Sequence, residues 1–264
     1  QLDSGSGSGG EEKYELIYQQ IFYANEDRTQ TINETTLFYG ASITLYLTIP
    51  SGYNFYGFGY YEVNNPNRTY IVRDEVTEDR LVDIYISADE FLDVENTNII
   101  VFVALSPIEV EINVSSWLDY DGSYEEDDRA GNISLVDENA GEVNSNGYVT
   151  GTNNHYSSSS FNGGNPDVRD FTVISYTNST IYLKIYAERD GYYFTRVSAT
   201  PNITINALGR FDEGGVGYYL YQFAGFIGGT PLDIQVYFKA EKKIIDYNFV
   251  NENGDIVVGG NLRL

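Results

Sequence analysis

The 264-residue sequence contains no cysteine and no methionine. Without cysteine the chain cannot form disulfides, thiolate metal sites or a cysteine nucleophile, and both secreted and cytosolic chains can lack it. Because translation begins with methionine, a chain that begins at Gln1 indicates processing, and we expect that a signal peptide has been removed. Trimming of the chain for expression is the alternative. Removal of a signal peptide would place the protein outside the cell or at its surface.

Positive charge is also scarce. Lys and Arg number 15 against 39 Asp and Glu, which gives a formal net charge of −24 at pH 7. A surface of this sign repels phosphate backbones, so nucleic acid is excluded as an expected partner. An acidic surface can recruit cations, or it can simply keep an extracellular protein in solution.

Long apolar runs are missing as well. No stretch reaches the roughly 18 apolar residues that a membrane helix requires, so we expect no membrane span in the mature chain. The nearest candidate, VGYYLYQFAGFIGGTPL at residues 216–232, is interrupted by five Gly and Pro residues. Such interruptions favour paired strands over a helix.

Aromatic residues are abundant, with 25 Tyr and 14 Phe. Tyr, Phe and β-branched residues favour pleated sheets, and strand-like alternation recurs along the chain. Helical periodicity is weak, and only residues 87–96 (SADEFLDVEN) indicate a turn of helix, behind a Ser87 cap. The sequence therefore predicts an all-β protein.

One phrase occurs twice. TLYLTIPSGYNF at residues 44–55 recurs as TIYLKIYAERDGYYF at residues 180–194, with three residues inserted. Later strands continue the match, so that Val101 aligns with Val236 at an offset close to that of Gly52 and Gly191. A steady offset over about 60 residues indicates an internal duplication. We predict two tandem β-sandwich or β-grasp-like domains.

The domain organisation follows from this repeat. We predict a flexible Ser/Gly-rich tether at 1–13, a first β domain at 14–107, a second at 108–241, and C-terminal strands at 242–264. The second domain contains an acidic, Gly/Asn/Ser-rich insert at 119–166, which is too poor in apolar residues to form a core of its own. Asn253-Gly254 indicates a hairpin in the C-terminal segment, by position the start of a third repeat.

The repeated phrase and the strand that closes at Phe238-Lys239-Ala240 resemble the small β repeat domains of prokaryotic surface proteins, such as internalin B-repeat and mucin-binding-like modules. The resemblance covers two blocks of roughly 60 residues. It implies a stalk, spacer or adhesion role and carries over no catalytic residues. In composition the chain resembles glycosylated extracellular filament subunits of the pilus or thread type.

Two kinds of modification or ligand site are candidates. The acidic run after Trp117 offers hard oxygen ligands for Ca²⁺, and the alternative is a solvated acidic loop. Its candidate ligands are Asp119, Asp121, Glu125 and Asp127. Six N-x-S/T sequons are candidates for N-linked glycans. They begin at Asn33, Asn67, Asn113, Asn132, Asn178 and Asn202, with Asn67 and Asn132 expected to accommodate a sugar most easily.

No catalytic signature is present. The single histidine, His155, lies in a polar run that gives an imidazole little packing, and the many carboxylates single out no pair. We therefore predict that the chain is not an enzyme and needs no cofactor other than the candidate Ca²⁺. A secreted glycoside-active enzyme is a minor alternative.

Trp117 and two tyrosine clusters are candidates for a sugar-stacking platform, and packing in the core and on the sheets is the favoured alternative. The clusters are Tyr53, Tyr56, Tyr60 and Tyr61, and Tyr218, Tyr219 and Tyr221.

The sequence favours a secreted structural subunit that assembles with copies of itself, head to tail, into an extracellular filament or surface layer. We expect a terminal strand of one subunit to add to an open sheet of the next, with the N-terminal strand slightly favoured as donor. The alternative is an adhesin or carbohydrate-binding module from a longer surface repeat protein, with cell-surface glycans as its partners.

Overall fold

The computed structural model describes most of the chain between residues 15 and 241. The described residues are 15–17, 21–63, 65–72, 78–91, 98–120, 122–126, 131–141, 143–144, 147–152, 154–157, 170–189, 191–241 and 253. The predicted tether at 1–13 lies outside them. Of the C-terminal segment only Asn253 is described, in a turn.

The described chain is almost entirely β, which confirms the predicted fold class. The first eight strands are β1 (Glu15–Ile17), β2 (Phe22–Tyr23), β3 (Thr31–Ile32), β4 (Ser42–Thr48), β5 (Tyr53–Glu62), β6 (Asn65–Val72), β7 (Leu81–Ser87) and β8 (Ile99–Pro107). The only helical element among the described residues is a 3₁₀ turn, Ala88–Phe91, where the Asp89 N–H donates to the Ser87 hydroxyl at 3.3 Å. The predicted short turn of helix behind Ser87 is therefore present.

Eleven further strands follow. They are β9 (Glu109–Tyr120), β10 (Ser123–Glu126), β11 (Ile133–Val136), β12 (His155–Ser157), β13 (Phe171–Tyr176), β14 (Thr180–Tyr186), β15 (Glu188–Arg189), β16 (Tyr192–Thr200), β17 (Thr204–Glu213), β18 (Val216–Ala224) and β19 (Leu232–Ala240). The run at 216–232 thus supplies a paired strand, β18, as its glycines predict. No helix in the described part of the chain is long and apolar enough to cross a membrane.

The strands form four sheets. Sheet I has the order β1-β8-β5-β6, and sheet II the order β3-β2-β4-β7. Sheet III has the order β12-β13-β9-β19-β16-β15, with β10 paired to the far end of β9, and sheet IV the order β11-β14-β18-β17. All pairs are antiparallel except β9 with β19, which run parallel.

Two separate clusters of buried side chains fill the space between these sheets. One joins sheets I and II around Leu47, Phe55 and Leu105, and the other joins sheets III and IV around Ile112, Leu183 and Phe238. This is the layering of a β-sandwich. The predicted boundary between residues 107 and 108 falls between the two clusters and stays a prediction.

The repeated phrase takes the same local structure in both halves. Gly52 and Gly191 precede β5 and β16 with φ angles of 85° and 82°, a region that glycine occupies without a Cβ penalty. Each strand then has a β-bulge directly after the phenylalanine that ends the phrase, Phe55 in β5 and Phe194 in β16. The internal duplication itself remains a prediction.

The parallel is incomplete. On the side away from β5, β8 pairs with β1 in antiparallel orientation. On the side away from β16, the matching strand β19 pairs with β9 in parallel orientation. Counted from the bulges, Val236 corresponds to Val103 and not to Val101, because Ala104 and Tyr237 both lie opposite the residue that follows the bulge.

The acidic insert contributes to the second core. β11, from within the insert, has all four residues buried and pairs with β14, while Val143 and Val149 are 6% and 0% exposed. The insert is too polar to form a core alone, but a few apolar residues suffice when two sheets already provide most of the surface. Residues 133–136 of the insert are therefore a buried strand of sheet IV.

Candidate functional site

The outer face of sheet III carries a cluster of aromatic side chains and one arginine. β9 alternates between the two faces of the sheet, with Ile112, Val114 and Leu118 buried in the core. Trp117 lies between them in the alternation and therefore faces outward. Its parallel partner on β19 is Tyr237. We call the outward-facing set Trp117, Tyr124, Tyr193, Arg196 and Tyr237 the Trp117 face.

The β-bulge in β16 brings Arg196 to this face. Phe194 pairs with Phe238 in the core, and Arg196, two residues later, pairs with Tyr237, so Thr195 is the extra residue. In a regular strand Arg196, two residues after Phe194, would point in the same direction as Phe194, because side chains alternate along a strand. The bulge is therefore the local feature that places a guanidinium beside Tyr237.

The rings and the guanidinium are in direct contact. The Tyr237 ring centroid lies 6.1 Å from that of Trp117 and 5.2 Å from that of Tyr124, the latter edge to face. The guanidinium carbon of Arg196 lies 3.5 Å from the Tyr237 centroid and 4.8 Å from the Tyr124 centroid. These distances are typical of cation–π contacts, which hold the arginine in one orientation.

Hydrogen bonds fix the polar edge of the cluster. The Trp117 indole N–H donates to the Ser115 hydroxyl at 2.9 Å, and the Tyr237 hydroxyl donates to Gln235 Oε1 at 2.8 Å. The Ser198 hydroxyl donates to the same oxygen at 3.3 Å. Arg196 contacts rings, and no carboxylate of the described residues lies within ion-pair distance of it. The result is a preorganised surface with an arginine whose N–H donors face solvent.

Most of the tyrosines predicted as candidates for a sugar platform lie elsewhere. Tyr53, Tyr56 and Tyr60 are each 8% exposed, in agreement with the packing alternative. Tyr219 and Tyr221 contact Phe194 on the core side of sheet IV, with centroid distances of 5.1 and 5.7 Å. Tyr61 pairs with Ile100 in sheet I, and Tyr218 stacks on Phe211. Only Trp117 of the predicted set belongs to the Trp117 face.

The predicted Ca²⁺ ligands do not converge where they are described. Asp119 is paired with Tyr124 and Glu125 with Leu118, so the two carboxylates lie on opposite faces of the β9–β10 hairpin. Asp119 Oδ1 accepts from the Gly122 N–H at 3.0 Å, and its Oδ2 lies 3.8 Å from Lys239 Nζ. Asp121 and Asp127 lie outside the described residues. No group of three metal-binding side chains occurs in the described part of the chain.

The six sequons have different environments. Asn33 and Asn202 are exposed, and Asn178 is exposed with its amide donating to the Tyr53 hydroxyl at 2.8 Å. Asn113 is half-buried and bonded to Asp233 and Thr172 on the outer face of sheet III. Asn132 is 3% exposed, so the folded domain has no room for a sugar there, contrary to the expected easy fit. The backbone of Asn67 belongs to β6, and its side chain lies outside the described residues.

His155 is better packed than the polar sequence around it indicates. It belongs to β12, which pairs with β13, and its ring lies edge to face with Tyr148 at a centroid distance of 4.6 Å. These contacts give His155 a packing role in sheet III.

A buried lysine lies on the outer face of sheet IV. Lys184 is 8% exposed, forms an ion pair with Glu213, and lies 4.5 Å from the centroid of Tyr218. Burial alone lowers the pKa of Lys184, but the hydrogen bond with Glu213 and the neighbouring charges outweigh it, so the pKa is raised. The pKa of Tyr176 is raised chiefly by burial and secondly by the negative charge of Glu109. The pKa of Tyr221 is raised chiefly by burial and secondly by Tyr219.

These shifts predict a loss of stability at alkaline pH. Lys184, Tyr176 and Tyr221 bind their protons more tightly in the folded than in the unfolded protein. The contribution of these protons to the free energy of unfolding is therefore complete below the ordinary pKa values, 10.0 for Tyr and 10.5 for Lys. Above those values it is lost as the pH rises toward the folded pKa values. We expect the free energy of unfolding, measured with urea, to fall between pH 9.5 and about 11.5. Lys184→Met should reduce the slope, and an unchanged slope would contradict the assignment to Lys184.

The second candidate feature is the edge of sheet IV. β17 is the terminal strand, paired only with β18, and eight of its ten residues are exposed. Leu208 and Phe211 are each 44% exposed. Among the described residues no strand pairs with the free side of β17, so a row of backbone N–H and C=O groups is open to a further strand.

Comparison of the chain with protein-family models gives no match, and comparisons with curated proteins and with solved structures give none either. The fold defines an all-β protein of sandwiched sheets. The resemblance to prokaryotic surface repeats stays an expectation from the sequence.

Proposed function

We propose that the protein is a secreted structural subunit that assembles with copies of itself into an extracellular filament or surface layer. The observation that carries this proposal is the ten-residue strand β17 at the edge of sheet IV, whose second side pairs with no strand among the described residues. Proteins usually shorten, cover or charge their edge strands, because an open edge pairs with other chains. Arg210, Asp212 and Glu213 lie after the β-bulge, so the first five residues of β17, 204–208, are uncharged and suited to strand addition, in which main-chain hydrogen bonds supply the affinity.

The C-terminal segment of a second copy is the donor that fits best. The N-terminal strands favoured from the sequence are paired within their own chain, β1 with β8 and β2 with β3 and β4. The Ser/Gly tether lies on the N-terminal side of β1. Only residues 18–21 connect β1 to β2, so the tether does not extend the reach of β1 toward another subunit. The C-terminal segment follows β19 directly, and its sequence predicts strands with a turn at Asn253.

Such a contact joins two different surfaces of the subunit, the edge of β17 and the C-terminal segment. Contacts between unlike surfaces generate open chains unless the rotation closes a ring. The exposed sequons at Asn33 and Asn202, and the high negative charge, are compatible with an extracellular surface. These features support an extracellular location as part of the proposal.

The proposal predicts that one exposed substitution on β17 prevents assembly. In Leu208→Lys a charged side chain replaces the residue at the β-bulge of the edge strand, where Leu208 makes no core contact. We expect the variant to fold with an unchanged thermal midpoint, within about 2 °C, and to remain monomeric at concentrations where the parent chain forms assemblies. Analytical ultracentrifugation and negative-stain microscopy measure this.

Leu81→Lys is the matched control, since Leu81 is 59% exposed and begins the edge strand β7 of sheet II. We expect this variant to assemble like the parent chain. Removal of residues 242–264 should abolish assembly and leave the acceptor edge intact, so the truncated chain should cap growing assemblies of the full chain. A parent chain that stays monomeric at all concentrations, with and without Ca²⁺, would refute the proposal.

A further inference from the structure

We propose that the Trp117 face binds a neutral polysaccharide. The proposal is independent of filament assembly, because it concerns sheet III and not the edge of sheet IV. It rests on the arrangement of the rings, on the free donors of Arg196, and on the charge of the chain.

The accessible rings lie along one row of the sheet. Tyr124 pairs with Asp119 on β9, and Tyr193 pairs with Lys239 on β19, while Asp119 and Lys239 contact each other across the β9–β19 pair. Tyr124 and Tyr193 therefore stand at the two ends of a row that crosses four strands. They are 47% and 42% exposed, respectively. This spread of exposed rings is suited to a chain of sugars, whose apolar C–H faces pack on aromatic rings.

The adjacent row, in which Glu126, Trp117, Tyr237 and Arg196 lie opposite one another, supplies polar groups for sugar hydroxyls. Arg196 is fixed over Tyr237 and Tyr124 by cation–π contacts and presents guanidinium N–H donors in a planar fork. Glu126, opposite Trp117 in the β9–β10 pair, is exposed and offers acceptors. Because the contacts of Arg196 and Trp117 already order them, little conformational entropy is lost on binding.

The charge of the chain decides which polymer fits. A net charge of −24, with Glu126 on the same face as Trp117, repels polyuronates and nucleic acids. The single positive charge of Arg196 does not reverse the negative electrostatic potential of the chain. A neutral polysaccharide has the hydroxyls and the apolar ring faces that the surface recognises and incurs no such repulsion.

Trp117 provides a direct measurement, since it is the only tryptophan in the chain. The full chain is produced without N-glycans, so that Asn113 on the same face carries no sugar, and with the Leu208→Lys substitution, so that assembly does not interfere. Soluble neutral polysaccharides built from glucose, mannose or galactose are titrated while Trp117 emission is recorded, and binding is confirmed by affinity gel electrophoresis. A polyuronate and single-stranded DNA are titrated in parallel.

We expect a saturable change in Trp117 emission with at least one neutral polysaccharide and none with the polyanions. Tyr124→Ala, Tyr193→Ala and Arg196→Gln should each weaken binding at least tenfold while far-UV circular dichroism stays unchanged. Tyr85→Ala, at a 60% exposed strand tyrosine in the other half, should bind like the parent. The proposal is overturned if none of the neutral polymers binds, if only a polyanion binds, or if the three variants and the control bind equally.

Discussion

Gly131→Ala is expected to destabilise the second half of the protein by about 2–5 kcal/mol. Gly131 has a φ of 62°, a region that costs a residue with a Cβ about 1–2 kcal/mol. A Cβ at this position would also overlap the ring of Phe238, which is fully buried in the core between sheets III and IV. Overpacking of this kind adds about 1–3 kcal/mol, because the ring has no free space to enter.

Gly214→Ala is the control for Gly131→Ala. Gly214 has nearly the same φ, 61°, but nothing lies within 4 Å of an added Cβ. The backbone cost is therefore shared, and only the clash differs. Urea unfolding followed by Trp117 fluorescence reports the half that contains both glycines. Equal losses in the two variants would show that the Phe238 contact contributes nothing.

Asn154→Asp is expected to reduce the free energy of unfolding by about 3–5 kcal/mol. Asn154 is 4% exposed and links the acidic insert to both sheets of the second half. Its amide donates to the Thr180 carbonyl at 2.9 Å, and its oxygen accepts from the Ser175 hydroxyl at 2.6 Å. The introduced carboxylate has the same shape but cannot donate, so it places an uncompensated charge against the Thr180 carbonyl.

Asn139→Asp makes the same chemical change at an exposed position of the same insert, and we expect less than about 0.5 kcal/mol there. Urea unfolding at pH 7 measures both variants. At lower pH the introduced carboxyl becomes neutral, so the difference between Asn154→Asp and the parent chain should shrink. A loss at Asn154 that matches that at Asn139 would show that the insert is not anchored through this amide.

The candidate surface shows how far the sequence alone could lead. Trp117 was identifiable as a candidate because it is a single tryptophan within a strand pattern. Tyr237 and Tyr124 join it through the parallel pairing of β9 with β19 and the turn before β10. Arg196 reaches the surface because one extra residue, Thr195, reverses the alternation of β16. No local pattern predicts a parallel partner or a bulge, since both depend on strands far apart in the chain.

The all-β class follows from the amino-acid sequence alone, because β-branched and aromatic alternation with little helical periodicity is a local property. The repeated phrase is likewise visible in the sequence, and Gly52 and Gly191 have nearly the same φ angle in its two copies. By contrast, the packing of distant strands decided that the polar insert adds Ile133 and Leu135 to a core and that Asn132 is buried. It also decided that β17 is an edge strand within the described part of the chain. Burial and strand pairing depend on which distant surfaces meet, and those contacts are non-local.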